Sequence, residues 1–183
     1  MKNMSIPILI MMVGLPGSGK TLLAHDLADK LNAQVFSSDV VRAEVCGESY
    51  SSQDNQRVFP ILHDRIKGAL QKRQNVIYDA TNIRARDRKT FLKYIRGVPC
   101  MKVCVEMCVP LGACLIRNSS RDFPIPREAI LRMEARRSSP QYDEGWDHIC
   151  EVSVVRRNCG VCGIAREIQD AFYSFLIESW KKK

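Results

Sequence analysis

No stretch of this 183-residue chain approaches the roughly 20 consecutive apolar residues that a bilayer-crossing helix requires. The apolar run Ile6–Val13 is too short, and a glycine-rich loop follows it at once. A signal-peptide cleavage pattern is missing too, because Met1–Val13 runs straight into that loop. The expectation is therefore a cytoplasmic protein with no membrane partner. Internal repeats, low-complexity tracts and long linkers are also lacking, which excludes a repeat array. Acidic charge is in short supply. Against 28 Lys and Arg there are only 20 Asp and Glu, a net charge of +8. That balance suits an anionic partner such as nucleic acid, and equally any protein that handles phosphates. The terminal Lys181-Lys182-Lys183 reads as a solvated tail.

What is present is ordinary for a globular protein: 45% hydrophobic and 26% charged residues. The length suits one domain over residues 1–183. Eight cysteines would suggest disulfides in a secreted chain, but the reading here is a reducing compartment. Cys104 and Cys108 lie in an apolar run and read as small buried hydrophobes. Cys159 and Cys162 have metal-ligand spacing, with His148 and Cys150 nearby, but no convincing second half-site accompanies them.

Residues Gly14 to Thr21 spell Gly-Leu-Pro-Gly-Ser-Gly-Lys-Thr, a complete phosphate-binding loop. An apolar strand precedes it and a helix follows, so several backbone N–H groups point at one anion. Gly14, Pro16, Gly17, Ser18 and Gly19 form the cradle. Lys20 reaches the terminal phosphates of a nucleoside triphosphate, and the Thr21 hydroxyl suits Mg²⁺.

Strand-like and helical segments alternate along the chain. Strands are predicted at Ile6–Val13, Gln34–Ser37, Asn75–Tyr78, Met101–Val109 and Glu151–Val155. Helices are predicted at Lys20–Leu31, Val40–Val45, Gln53–Arg73, Asp87–Ile95, Leu111–Asn118, Arg127–Arg137 and Ile164–Ser179. The pattern implies an α/β three-layer sandwich, with a mostly parallel five-stranded sheet covered on both faces. Phe123-Pro-Ile-Pro126 breaks two short helices apart locally.

Ligands of open parallel sheets sit beyond the carboxyl ends of the strands. Asp39 follows the second strand, as a base for an acceptor hydroxyl or as a helix N-cap. Arg42 shares its helix face, either to hold an acceptor phosphate or to form a surface ion pair with Asp39 or Glu44. Asp79 ends the third strand. It suits Mg²⁺ through water, or it holds Arg42 or the acceptor. Thr81 and Asn82 shape an acceptor pocket or cap the next helix. Arg117 and Arg121, spaced i and i+4, precede a basic, Pro-punctuated segment. They are solvated surface or part of a small helical lid over roughly 117–140 that closes on nucleotide phosphates.

These residues together resemble the phage-type polynucleotide 5′-hydroxyl kinase, a P-loop kinase module also found in bacterial RNA-repair enzymes. The resemblance runs through Gly14–Thr21, Ser38-Asp39-Val-Val-Arg42, Asp79-Ala-Thr-Asn82, Arg117-Asn-Ser-Ser-Arg121 and Pro124-Ile-Pro126, and ends near Glu144-Gly-Trp-Asp147. It implies that Lys20 and Thr21 bind ATP and Mg²⁺, that Asp39 is the general base and that Arg42 contacts the acceptor phosphate. Arg121 becomes the lid arginine on the donor phosphates, with Arg117 as companion. Some members carry a phosphatase domain with an Asp-x-Asp nucleophile motif. This chain has no such motif, so the resemblance implies a kinase alone.

The expected activity is ATP-dependent transfer of a γ-phosphate to the 5′-hydroxyl end of RNA or DNA. ATP is preferred over GTP by the resemblance and by the absence of an Asn-Lys-x-Asp guanine-reading motif. Two alternatives stay open: a kinase for a small molecule or aminoacyl-tRNA on the same fold, and a nucleotide-controlled binding protein without transfer. Asp39 argues against the last, because a switch needs no base opposite the γ-phosphate.

Overall fold

The computed structural model describes residues 6–47 and 54–153. Five strands form one sheet: β1 (Ile8–Val13), β2 (Ala33–Ser37), β3 (Asn75–Asp79), β4 (Met101–Cys108) and β5 (His148–Ser153). Their spatial order is β2-β3-β1-β4-β5, and every pairing is parallel. The helices are α1 (Lys20–Leu31), α2 (Ser38–Cys46), α3 (Asn55–Gln71), α4 (Ala85–Tyr94), α5 (Leu111–Ser119) and α6 (Arg127–Ala135). The expected helix Ile164–Ser179 and the Cys159–Cys162 pair lie outside the described residues.

All six residues of β1 are buried, as a continuous apolar run at the sheet centre requires. Successive side chains point to opposite faces. Ile8, Ile10 and Met12 join Leu23, Leu27, Cys114 and Ile130 in the layer under α1, α5 and α6. Leu9, Met11 and Val13 join Val58, Leu62, Ile66 and Phe91 in the layer under α3 and α4. Cys104 is fully buried in that second layer, and burial pushes its thiol far up from the ordinary value. Its side chain is an apolar filler.

Element boundaries differ from expectation where a local hydrogen bond decides them. β1 begins at Ile8 rather than Ile6. Pro7 has no N–H for the ladder, and the Ile8 N–H instead meets Asn75 Oδ1 at 3.0 Å. β5 begins at His148 rather than Glu151. The Asp147 carboxylate accepts from the Lys102 N–H at 2.7 Å while the Asp147 N–H donates to the Lys102 carbonyl, and this seats the strand early. α2 begins at Ser38 rather than Val40, because the Ser37 hydroxyl accepts from the Asp39 N–H at 3.3 Å.

One buried charge ties the polar end of the sheet together. Arg88 on α4 is fully buried and donates to both oxygens of Glu144, at 2.8 and 2.6 Å. It also donates to the Asn82 carbonyl and the Ser138 carbonyl, each at 2.9 Å. Trp146 Nε1 completes the carboxylate at 3.1 Å. These bonds hold Glu144 below its usual range despite burial, which alone would raise it. Removing one partner strands the other charge in the core. Arg88→Ala is therefore expected to lower unfolding stability by about 3–5 kcal/mol. Exposed Lys89→Ala on the same helix should stay within about 0.5 kcal/mol. Urea unfolding of the two variants checks the contrast.

Candidate active site

The phosphate loop lies between β1 and α1, and two of its glycines are dictated by geometry. Gly17 adopts φ +80°, and a Cβ there would stand 2.3 Å from the Cys114 carbonyl oxygen on α5. Gly19 adopts φ +91° as the residue that opens α1. Left-handed backbone at both points lets the chain turn sharply with its N–H groups facing inward, as a phosphate-binding loop requires. Ser18 is buried, and Pro16 and Gly14 are buried beside it.

Lys20, on the first turn of α1, is 7% exposed. Its ammonium donates to the Leu15 carbonyl at 2.8 Å and lies 3.5 Å from Ser18 Oγ. Burial lowers its pKa to about 8, opposed by the negative charges of Asp79 and Asp39. Thr21 Oγ1 donates to Asp79 Oδ2 at 2.8 Å. Asp79 is 3% exposed. Burial pushes its carboxyl up, while the Thr21 hydrogen bond and Lys20 pull it back. A hydroxyl and a buried carboxylate side by side are hard oxygen donors, the set that suits Mg²⁺ when phosphates and water complete its shell.

The second cluster stands at the end of β2. Ser37 takes the cap role that Asp39 was weighed for, so the Asp39 carboxylate faces its neighbours. Arg42 Nη1 donates to Asp39 Oδ1 at 3.0 Å, and Arg121 Nη2 reaches Asp39 Oδ2 at 3.6 Å. Arg42 also donates to Asn55 Oδ1 on α3 at 2.9 Å. Asn55 escaped the sequence reading; it belongs to no motif, and only the packing of α2 on α3 brings it to Arg42. The Asp39 and Arg121 charges act in opposite directions on Lys20, Asp39 raising and Arg121 lowering its pKa, so the two clusters are electrostatically coupled.

The Thr81 backbone and the Asn82 side chain both take part in the scaffold. The Thr81 carbonyl accepts from the Gly14 N–H at 3.0 Å. Asn82, buried at φ +46°, donates its amide to the Met12 carbonyl at 2.9 Å. These bonds lash the phosphate loop to the end of β3. Neither residue caps α4, which opens after Arg84. One N–H of the Asn82 amide is thus committed to β1.

The expected lid is tied down at both ends. Asn118 exchanges hydrogen bonds with the backbone of Ile125 at 2.8 and 3.1 Å. At the other end Arg137 meets buried Glu106 at 2.8 Å, and the Ser138 N–H meets the Ile83 carbonyl at 2.9 Å. Ile130 of α6 is fully buried. Between Asn118 and Ile125 lies the stretch 120–124, which carries Arg121 and the 82% exposed Phe123 and in which the Arg121 N–H meets the Asn118 carbonyl at 3.2 Å. Arg117, half-buried, sits on the last turn of α5 at the root of that stretch.

Residues 9–140 match the AAA domain family AAA_33, well over half of the chain. The chain belongs to that family. Its fold is the α/β P-loop kinase type. A candidate kinase from Chloroflexus aurantiacus superposes at TM-score 0.73 and 18% identity, over 97% of this chain and 100% of that one. A gluconokinase from Sinorhizobium meliloti 1021 gives 0.63 and 17%, over 96% of each chain. A chain of the Pnkp1/Rnl/Hen1 RNA repair complex gives 0.62 and 24%, over 72% of this chain and 44% of that one. At such identities the likeness establishes the fold. Comparison with curated proteins by sequence finds no match.

Two outcomes follow for the phosphate loop of this AAA-family chain. Gly17→Ala should abolish nucleotide binding, because the new methyl meets backbone at 2.3 Å in a left-handed conformation. Equilibrium dialysis with labelled nucleotide reads it, with circular dichroism as the folding control. Lys20 sets a pH dependence. An anionic ligand favours its charged form, so it raises the depressed pKa of about 8. Binding should take up a proton at pH 9 and none at pH 7, and affinity should fall as pH rises past 8. Calorimetry in buffers of different ionisation enthalpy measures the uptake.

Proposed function

We propose that this chain is an ATP- and Mg²⁺-dependent phosphotransferase whose acceptor is the 5′-hydroxyl end of RNA or DNA. The observation that carries the reading is the Asp39 carboxylate held between Arg42 and Arg121 at the mouth of the phosphate loop. Phosphoryl transfer needs a donor cradle, a base-side carboxylate and positive charge on the transferring group. The Gly14–Gly19 loop, Asp39, and Lys20 with Arg121 are the candidates for these three parts. The likeness to a chain of an RNA repair complex is in keeping with the nucleic-acid acceptor.

In this reading Gly14, Pro16, Gly17, Ser18 and Gly19 cradle the donor phosphates, and Lys20 turns from the Leu15 carbonyl to the β- and γ-oxygens. Thr21 and Asp79 would hold Mg²⁺, which when bound neutralises charge on the phosphates. Arg42 leaves Asp39 for the acceptor's 3′-side phosphate, and Asn55 keeps its guanidinium oriented. Asp39 then accepts the proton of the attacking hydroxyl. The Arg121 side chain swings from Asp39 to the donor phosphates, with Arg117 beside it. Thr81 lines the acceptor side.

A second reading, a small-molecule kinase, is favoured by the near-complete overlap with a gluconokinase. Kinetics separates the two. Asp39→Asn should keep ATP binding and lose about 10²–10⁴-fold in kcat. Arg121→Ala should lower kcat more than ATP affinity, since its charge acts chiefly in the transition state. Arg42→Ala should raise the KM of a 3′-phosphorylated 5′-hydroxyl acceptor and leave an unphosphorylated nucleoside unaffected. If labelled ATP phosphorylates gluconate or another sugar but no 5′-hydroxyl oligonucleotide, the small-molecule reading replaces this one.

A further inference from the structure

The excess positive charge has a definite place away from the catalytic cluster. Arg86, Lys89, Lys93 and Arg96 recur at spacings of three, four and three, so they fall on one face of α4 and its C-terminal turn. All four are exposed. The face covers about 15 Å at 1.5 Å per residue. At its far end Lys89, Lys93, Arg96 and Lys102 rim a groove of about 430 Å³ with Leu92 and Val98 in its wall.

The stripe has no structural use that accounts for it. Among the described residues no ion pair holds the side chains of Arg86, Lys93 or Arg96. The nearby carboxylates are engaged. Asp87 pairs with Arg84 at 2.6 Å, Glu144 with Arg88, and Asp147 with the Lys102 N–H. Asp143 meets Lys89 at 3.2 Å, but both are at least half exposed, so that pair is weak and easily exchanged. The upper end of α4 follows directly on the Asp79–Asn82 segment, at the same sheet edge as the phosphate loop. The stripe therefore starts beside the catalytic edge and runs down the flank.

We propose that this face of α4, with Lys102, binds the sugar-phosphate backbone of a single-stranded nucleic acid whose 5′ end occupies the active site. The proposal rests on the nucleic-acid acceptor reading above. A linear array of exposed cations, of which only Lys89 has an ion pair among the described residues, matches a linear array of phosphates, and Leu92 and Val98 offer apolar contact to a base. A compact metabolite would never reach it.

The test uses Lys89→Glu/Lys93→Glu/Arg96→Glu and the milder Lys89→Gln/Lys93→Gln/Arg96→Gln, with folding checked by circular dichroism. Fluorescence anisotropy measures binding of 5′-hydroxyl oligoribonucleotides of three and twenty nucleotides across a salt series. Phosphate transfer to both is followed in parallel. The glutamate variant should bind the longer strand at least tenfold more weakly while the trimer is unchanged. The glutamine variant should flatten the log–log salt slope by about 2, from three lost contacts at about 0.7 each. Unchanged binding of the longer strand by a folded glutamate variant overturns the proposal. So does an equal loss for the trimer, or no binding of the longer strand by the parent. If the variants weaken binding but the parent transfers phosphate to neither oligonucleotide, the kinase reading fails and the docking face stands. If transfer proceeds with no length-dependent change in the variants, the docking face fails alone.

Discussion

A single buried guanidinium sets the geometry around which the polar end of this molecule is arranged. Arg88 has no solvent to hydrate it, so all its charge must be met by protein. Glu144 meets it from the 3₁₀ turn Tyr142–Glu144, the Asn82 carbonyl from the loop after β3, and the Ser138 carbonyl from the segment after α6. Three stretches of chain that share no sheet hydrogen bonds are thereby fixed to one helix. A buried pair of this kind adds little net stability compared with a well-packed apolar substitute. Its consequence is positional. Asn82 is held where its amide reaches Met12, and Thr81 where its carbonyl reaches Gly14, so the phosphate loop inherits its seat from Arg88 through two further bonds.

The charges of the site are arranged as a closed set. Asp39 satisfies Arg42 and Arg121, Asp79 satisfies Thr21, and Lys20 turns back on its own loop. Each partnership uses groups that an incoming phosphate or hydroxyl can replace. The exchange is inexpensive for Asp39, whose side chain is 64% exposed. It is more consequential for Lys20, which is buried and has already lost part of its affinity for a proton. The same burial that depresses its pKa makes an approaching anion interact with it strongly.

Much of the architecture was legible. The buried strand β1, the loop Gly14–Thr21 and helix α1 are contiguous, and local conformation decides them. The alternation of short apolar runs and helical patterns led to a five-stranded parallel sheet, as found. Asp39, Arg42, Asp79 and Arg121 were legible as site candidates because parallel sheets gather strand-end residues at one edge. The shortfalls are equally specific. Ser37 takes the cap position because it is the last residue of β2, two residues before Asp39, and its hydroxyl accepts from the Asp39 N–H. The left-handed backbone of Asn82 and the bond of its amide to the Met12 carbonyl carried no sequence signal. Asn55 and Arg88 carried no signal, since an asparagine near a helix start and an arginine in a basic helix look like ordinary surface.

The amino-acid sequence by itself determined the phosphate loop, the fold class and the apolar layers, because each depends on neighbours a few residues apart and on side-chain periodicity. Only the tertiary structure decided which arginines face Asp39, that Arg88 of α4 is buried while Arg86, Lys89 and Lys93 lie in a row outside, and how the basic segment is tied to its neighbours. These outcomes depend on where Asn55, Ser138 and Glu144 arrive in space, and the meeting of such distant segments is fixed by core packing rather than by any local pattern.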